Sequence, residues 1–167
     1  MTKKKEEHKI IAINPGWRCL GIAVFDGYQL EEWRLKSLPV KGAKRKQEKA
    51  MDILAGFIER YDPNLLAIKK LHPSRSSANL KHLTADITTF CQKQGMTVFF
   101  HSIKEMENAF SANRISKKEL ARLVTHEYPE LASEMKREER NRNPYFVRLF
   151  EAVALGHVCL REINNKH

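Results

Sequence analysis

The stretch Ile10–Gly27, IIAINPGWRCLGIAVFDG, decides how the rest of the chain is read. Four apolar residues, Ile10 to Ile13, run into Asn14-Pro15-Gly16, and a second apolar run begins at Cys19. Proline fixes its own φ and glycine takes backbone angles that other residues avoid, so Pro15-Gly16 reads as a turn. Two β-rich runs on either side of it predict a hairpin over 9–13 and 19–25, with Asn14 held at its mouth. An aspartate there would read as a metal ligand. Asparagine reads either as an ordinary turn residue, which its side chain suits, or as a substituted catalytic position.

Working outward, Asp26-Gly27 is a second turn and Tyr28 to Leu38 a third strand, giving an antiparallel meander. After Pro39 the pattern changes. Met51, Ile53, Leu54, Phe57 and Ile58 have helical spacing behind a basic lead-in, and Asp62-Pro63 ends that helix. Leu65 to Ile68 is a short continuous apolar run, as in a central buried strand. Leu71 to Ser77 is a loop, 78–93 a helix with Leu80, Leu83, Ile87 and Phe90 on one face, and 96–100 another strand. Ser102 with Glu105, and Ser116 with Glu119, fit the capping box and open helices to about Phe110 and about Tyr128. The segment from Ser133 to Asn143 is polar and charged, and 146–163 is a final helix. The order β-β-β-α-β-α-β-α-α-α predicts an α/β fold. Three antiparallel strands come first, then strands alternating with helices, in a mixed sheet flanked by helices. Residues 1–167 are expected to form one domain, with residues 1–8 flexible.

Composition narrows the function. Lys plus Arg is 30 against 20 for Asp plus Glu, a net charge of +10 with pI near 9.6. That balance favours a polyanionic partner, most simply nucleic acid. Cys19, Cys91 and Cys159 lie far apart without zinc spacing, which predicts buried free thiols in a reducing compartment. No run approaches the roughly 18 apolar residues of a membrane span. A soluble, cytoplasmic protein with no membrane contact is expected.

The same order of elements is that of the RNase H-like fold, and the opening stretch resembles the first hairpin of the RuvC Holliday-junction resolvases. That hairpin reads as hydrophobics, Asp-Pro-Gly, then a strand containing Gly. Further stretches follow in the family's order. DPNLLAIKKL resembles the strand before the second acidic residue, and SSANLKHL the start of the next helix. MTVFFHSIKEM resembles the following strand, SKKELARLV the Lys-containing helix, and RLFEAVALGHV the last helix, whose family form is Asp-x-x-Asp-Ala-x-Ala. The resemblance implies phosphodiester hydrolysis by four carboxylates holding two Mg²⁺ ions, which activate water and stabilise the leaving oxygen.

Carried over position by position, those acids fall on Asn14, Lys69, Arg148 and Glu151, of which only Glu151 is acidic. One like-charge contact at about 4 Å costs about 4 kcal/mol per unit-charge pair at an effective dielectric near 20, and more for a divalent ion. The resemblance therefore implies a site in which metal binding is lost and no metal ligand set remains. A carboxylate amid LFEAVAL needs a partner; Lys69 and Arg148 are the candidates. Lys69 and Lys70 read equally as solvated lysines at a strand end. Asp26, Asp86, Glu105 and Glu107 are the acids from which a relocated metal site would be drawn.

Basic and aromatic residues supply the other signal. HPSRSSANL places His72 and Arg75 ahead of a helix start capped by Ser76 or Ser77, where free amides suit phosphate. Lys70, Lys104, Arg114, Lys117 and Lys118 fall on loops and helix starts that border the substrate groove of this fold, and Trp17 and Arg18 lie on the first turn. Each alone reads as a solvated surface residue; together they predict a nucleic-acid-binding edge. The basic runs from Lys41 to Lys49 and from Lys136 to Arg142 read as solvated faces.

Three functional readings result. The first is a RuvC-like protein that binds branched or structured nucleic acid and has lost metal-dependent cleavage. The second is an active endonuclease with an atypical Mg²⁺ site around Glu151. The third is a protein-interaction module on an RNase H-like fold. DNA is favoured over RNA, although a YqgF-like relative that processes ribosomal RNA shares the fold. RuvC resolvases are dimers, so a homodimer is within the expectation.

Overall fold

The computed structural model describes residues 8–141 and 145–165. Apart from His8, the flexible start expected at residues 1–8 lies outside them, as does Arg142 of the second basic run. Five strands form one sheet: β1 (Lys9–Asn14), β2 (Cys19–Asp26), β3 (Gln29–Ser37), β4 (Leu65–Lys69) and β5 (Thr97–His101). The strand order is β3-β2-β1-β4-β5. β1 pairs antiparallel with β2, and β2 with β3; β1 pairs parallel with β4, and β4 with β5. This is the mixed sheet expected from the sequence.

Helices cover both faces. α1 (Ala43–Tyr61) and α2 (Ala78–Lys93) lie on one side. α3 (Ile103–Phe110), α4 (Lys117–Glu127), α5 (Ala132–Arg140) and α6 (Val147–Asn165) lie on the other. Side chains alternate across a strand, so β1 divides its residues between two cores. Ile11 and Ile13 pack on the α1/α2 side, Ile10 and Ala12 on the α6 side. In β4, Leu65 and Ala67 share the α6 side and Leu66 and Ile68 the other. Burial on both faces explains why these strands read as continuous apolar runs rather than alternating ones. The same parity sends Asn14 and Lys69, the last residues of β1 and β4, toward α6.

Serine caps behave as the spacing predicts. The Ser77, Ser102 and Ser116 hydroxyls accept from the backbone N–H of Leu80, Glu105 and Glu119. Two expectations are corrected. The charged segment after Ser133 is not merely polar connection but contains α5. Its inward face holds buried Met135 and Glu138, and Glu134 accepts from the Trp33 indole at 3.0 Å. The Glu138 carboxylate accepts from the Tyr145 and Phe146 amides at 2.8–3.1 Å, placing a negative charge just ahead of α6. With Met135 as its sole large apolar residue, α5 carries too little hydrophobic periodicity to be seen in the sequence. The basic run from Lys41 to Lys49 is also not wholly solvated. Lys46 is buried and donates to the Trp17 carbonyl at 2.6 Å and the Leu38 carbonyl at 3.0 Å.

Candidate functional site: a carboxylate held by amide and ammonium groups

Glu151 lies one turn into α6 with 3 % of its surface exposed. Its Oε2 accepts from Asn14 Nδ2 at 2.7 Å and from Lys69 Nζ at 3.0 Å. Three elements, β1, β4 and α6, are joined through that one oxygen. Lys117 Nζ, from the first turn of α4, stands 3.8 Å from Glu151 Oε1. Asn14 is fully buried, and its Nδ2 also lies 3.4 Å from the Arg148 carbonyl. Asn14 Oδ1 and Glu151 Oε1 have no hydrogen-bond partner among the described residues. Of the two partners expected for Glu151, the geometry selects Lys69; it also adds Lys117, which sequence reasoning placed only on the nucleic-acid edge.

Arg148 is corrected. Its guanidinium donates to the Pro15 carbonyl at 3.2 Å rather than pairing with Glu151; among the described residues Lys69 takes that place. A Cβ at Gly16 would run into that guanidinium, and a Cβ at Gly21 would run into the Arg148 backbone carbonyl. The two glycines thus let α6 approach the β1–β2 turn closely enough for Arg148 to clasp it. Burial raises the Cys19 thiol above its usual range, with Arg148 acting in the opposite direction. The Arg148 guanidinium thus meets the β1–β2 turn, and Lys69 is the partner of Glu151.

The donor set can be tested against the two Mg²⁺ ions that the resemblance implies. Mg²⁺ takes hard oxygen ligands in near-octahedral geometry. The centre offers one carboxylate, one of whose oxygens already receives two donors, and one amide oxygen. The Lys69 ammonium, 3.0 Å from that carboxylate, adds a positive charge instead of an oxygen ligand. These residues do not fit a pair of divalent ions. Of the alternative acids, Asp26 is at the far end of β2, opposite Lys9, and Glu105 Oε2 is engaged 2.9 Å from His101 Nδ1. Among the described residues, no three His, Cys, Asp or Glu side chains form a group able to hold a metal ion.

The basic residues expected at a nucleic-acid edge differ in exposure and setting. Lys70 follows β4 and is exposed, its amide donating to the His101 carbonyl at 2.8 Å. Arg18, Arg75, Lys104, Arg114, Lys117 and Lys118 are exposed, on the first turn, the β4–α2 loop, the start of α3, and the loop into α4 and its first turn. Trp17 is half-buried, with Lys46 Nζ 5.1 Å from its ring centroid, so the turn is braced rather than free. Sequence reasoning missed that brace, and it missed buried His101, whose Nε2 lies 3.3 Å from Glu162 Oε2. The four-residue spacing of His101 and Glu105 across a capped helix start was the available signal. An open groove of about 660 Å³ runs beside Lys69, Lys70, Lys81, Thr84, Phe100 and Glu105.

No protein-family profile matches the sequence, and no curated protein matches it. Solved structures do match. RuvC of Thermus thermophilus in complex with a Holliday junction substrate aligns with a TM-score of 0.68 at 18% identity, covering 94% of this chain and 96% of that one. The yeast mitochondrial Holliday junction resolvase aligns with a TM-score of 0.63 at 9% identity, covering 93% of this chain and 78% of that one. The Fowlpox virus resolvase, solved with Holliday junction DNA, gives 0.59 at 13% identity, covering 93% and 98%. The strand order, the helices on both faces and these alignments over most of the chain together establish the fold as the RuvC-like form of the RNase H-like fold.

Proposed function

We propose that this chain acts as a single domain that binds branched or structured nucleic acid, DNA in preference to RNA, without two-metal cleavage. The observation that carries the reading is the Lys69 ammonium and the Asn14 amide sharing one oxygen of Glu151. Positive charge supplied in the family by exchangeable ions is here supplied by a side chain. The net charge of +10 and the exposed cations at 18, 70, 75, 104, 114, 117 and 118 support a polyanionic ligand. The fold shared with two resolvases solved on junction DNA supports a branched one. Pairing as a homodimer and a cytoplasmic location belong to the same proposal; among the described residues, no helix is long and apolar enough to cross a membrane.

The test measures affinity for a four-way junction, a duplex and a matched RNA across a salt series, with sedimentation velocity reporting the oligomeric state. Junction binding should fall with salt along a slope of several phosphate contacts, and Arg75→Ala and Lys118→Ala should each weaken it. Affinity indifferent to salt would sink the proposal and favour a protein-interaction module. A second reading, an atypical endonuclease around Glu151, draws on one observation: Asn14 Oδ1 and Glu151 Oε1 are buried oxygens without hydrogen-bond partners among the described residues. Cleavage in Mg²⁺ or Mn²⁺ that is abolished by Glu151→Ala would promote it.

A further inference from the structure

The Glu151 centre is unbalanced in charge. Lys69 and Lys117 bring two positive charges to one carboxylate, which leaves one positive charge over. The two lysines are not equivalent. Lys69 ends a central strand, has a side chain 22% exposed, and is hydrogen-bonded at 3.0 Å. Lys117 opens α4, has a side chain 65% exposed, and at 3.8 Å is inside the range of charge attraction but beyond that of a hydrogen bond. The oxygen it approaches, Glu151 Oε1, is buried and has no hydrogen-bond partner among the described residues. On one side Lys117 faces an unsatisfied carboxylate oxygen. On the other it faces solvent, between exposed Arg114 and Lys118 at the Ser116-capped start of α4.

We infer that Lys117 is a two-position ammonium: it pairs with Glu151 in the free protein and transfers to a backbone phosphate when nucleic acid binds, while Lys69 stays on Glu151. This rests on the proposed nucleic-acid binding. A phosphodiester carries one negative charge, which matches the surplus. The transfer requires only rotation about the flexible lysine stem, a motion of picoseconds to nanoseconds. Glu151 is then an internal competitor of the phosphate, and its charge lowers affinity for nucleic acid rather than serving catalysis.

The experiment titrates a labelled four-way junction with the full chain, with Glu151→Gln, with Lys117→Met and with the double variant, each over a salt series. Glu151→Gln should bind several-fold more tightly than the natural chain. Lys117→Met should bind more weakly, with a salt slope shallower by about 1. In the double variant the gain from Glu151→Gln should vanish; a gain that survives there overturns the inference. Lys117→Met also supplies a measurement that does not depend on the buried substitution folding. Without nucleic acid its thermal midpoint should fall by about 2 °C, because Glu151 loses a counter-charge, and Lys117→Arg should restore both affinity and midpoint. An unmoved midpoint overturns the inference. Salt-dependent binding indifferent to positions 117 and 151 defeats this inference alone, whereas absence of binding by the natural chain defeats the parent reading as well.

Discussion

Replacing Lys69 with methionine tests the physics of the centre most directly. Methionine keeps an unbranched apolar stem and removes the charge, so the loss reports the ammonium. Glu151 is 3 % exposed and would keep only the Asn14 amide at 2.7 Å and the more distant Lys117. Removing one member of a buried ion pair typically costs about 3–5 kcal/mol, because the other charge stays buried. Lys69 is 22% exposed and Glu151 retains a hydrogen bond, which lowers the expectation to about 2–3 kcal/mol. For a chain of this length the thermal midpoint should fall by roughly 4–12 °C. Urea unfolding followed by circular dichroism gives the free energy, provided the slope is unchanged. The double change Lys69→Met with Glu151→Gln should recover about 1–3 kcal/mol relative to the sum of the single changes, since neither charge is then left without the other. A Lys69→Met chain within about 0.5 kcal/mol of the natural one, or strict additivity in the double variant, would refute the pairing as the support of the site.

Other outcomes can be checked alongside. Asn14→Asp with Lys69→Glu replaces a donor and a cation by carboxylates around Glu151; it should destabilise the chain and make its thermal midpoint rise with added Mg²⁺ or Mn²⁺, and a midpoint indifferent to both ions would count against the charge account. Gly21→Ala drives a Cβ into the Arg148 backbone carbonyl, so stability should fall by about 1–3 kcal/mol or more, read by the same urea assay. Burial lowers the His157 pKa below 6.5, so the unfolded chain binds more protons as pH falls through 6.5 toward the lowered value, and stability should decline across that window. His157→Gln should flatten this part of the stability–pH curve; an unchanged curve would show that the group is not titrating differently on folding.

The fold was legible because its signals are local. Pro15-Gly16, Asp62-Pro63 and Gly95 mark boundaries through proline's fixed and glycine's permissive backbone, and two-faced burial of β1 and β4 leaves clear apolar runs. Serine caps announced three of the helices that later formed. α5 was not legible, because Met135 alone cannot define a helical face and Glu138 is buried through amides seven and eight residues away. At the site, Asn14, Lys69 and Glu151 could be placed together from the ordered resemblance. Arg148 could not be placed correctly: whether a residue on α6 faces the carboxylate or the β1–β2 turn depends on how closely the helix approaches, and Gly16 and Gly21 set that approach from elsewhere in the chain. Lys117 and Lys46 were hidden for another reason. A lysine stem is long and flexible, so its Cα position says little about where the ammonium goes.

The arrangement changes what holds this end of the sheet together. In a site of four carboxylates the side chains repel one another until ions enter, so order there depends on metal. Here attraction is built into the chain. Asn14 and Lys69 draw β1 and β4 onto α6 through Glu151. Arg148 fastens the β1–β2 turn to the same helix, and Lys46 ties Trp17 and Leu38 to α1. The links to α6 join segments far apart in sequence, and every link ends on a carbonyl or carboxylate. Under the proposed function, nucleic acid would meet a Trp17 braced by Lys46 and a movable Lys117. Lys69 and Asn14 then hold this centre on Glu151 while Lys117 is the cation that reaches phosphate.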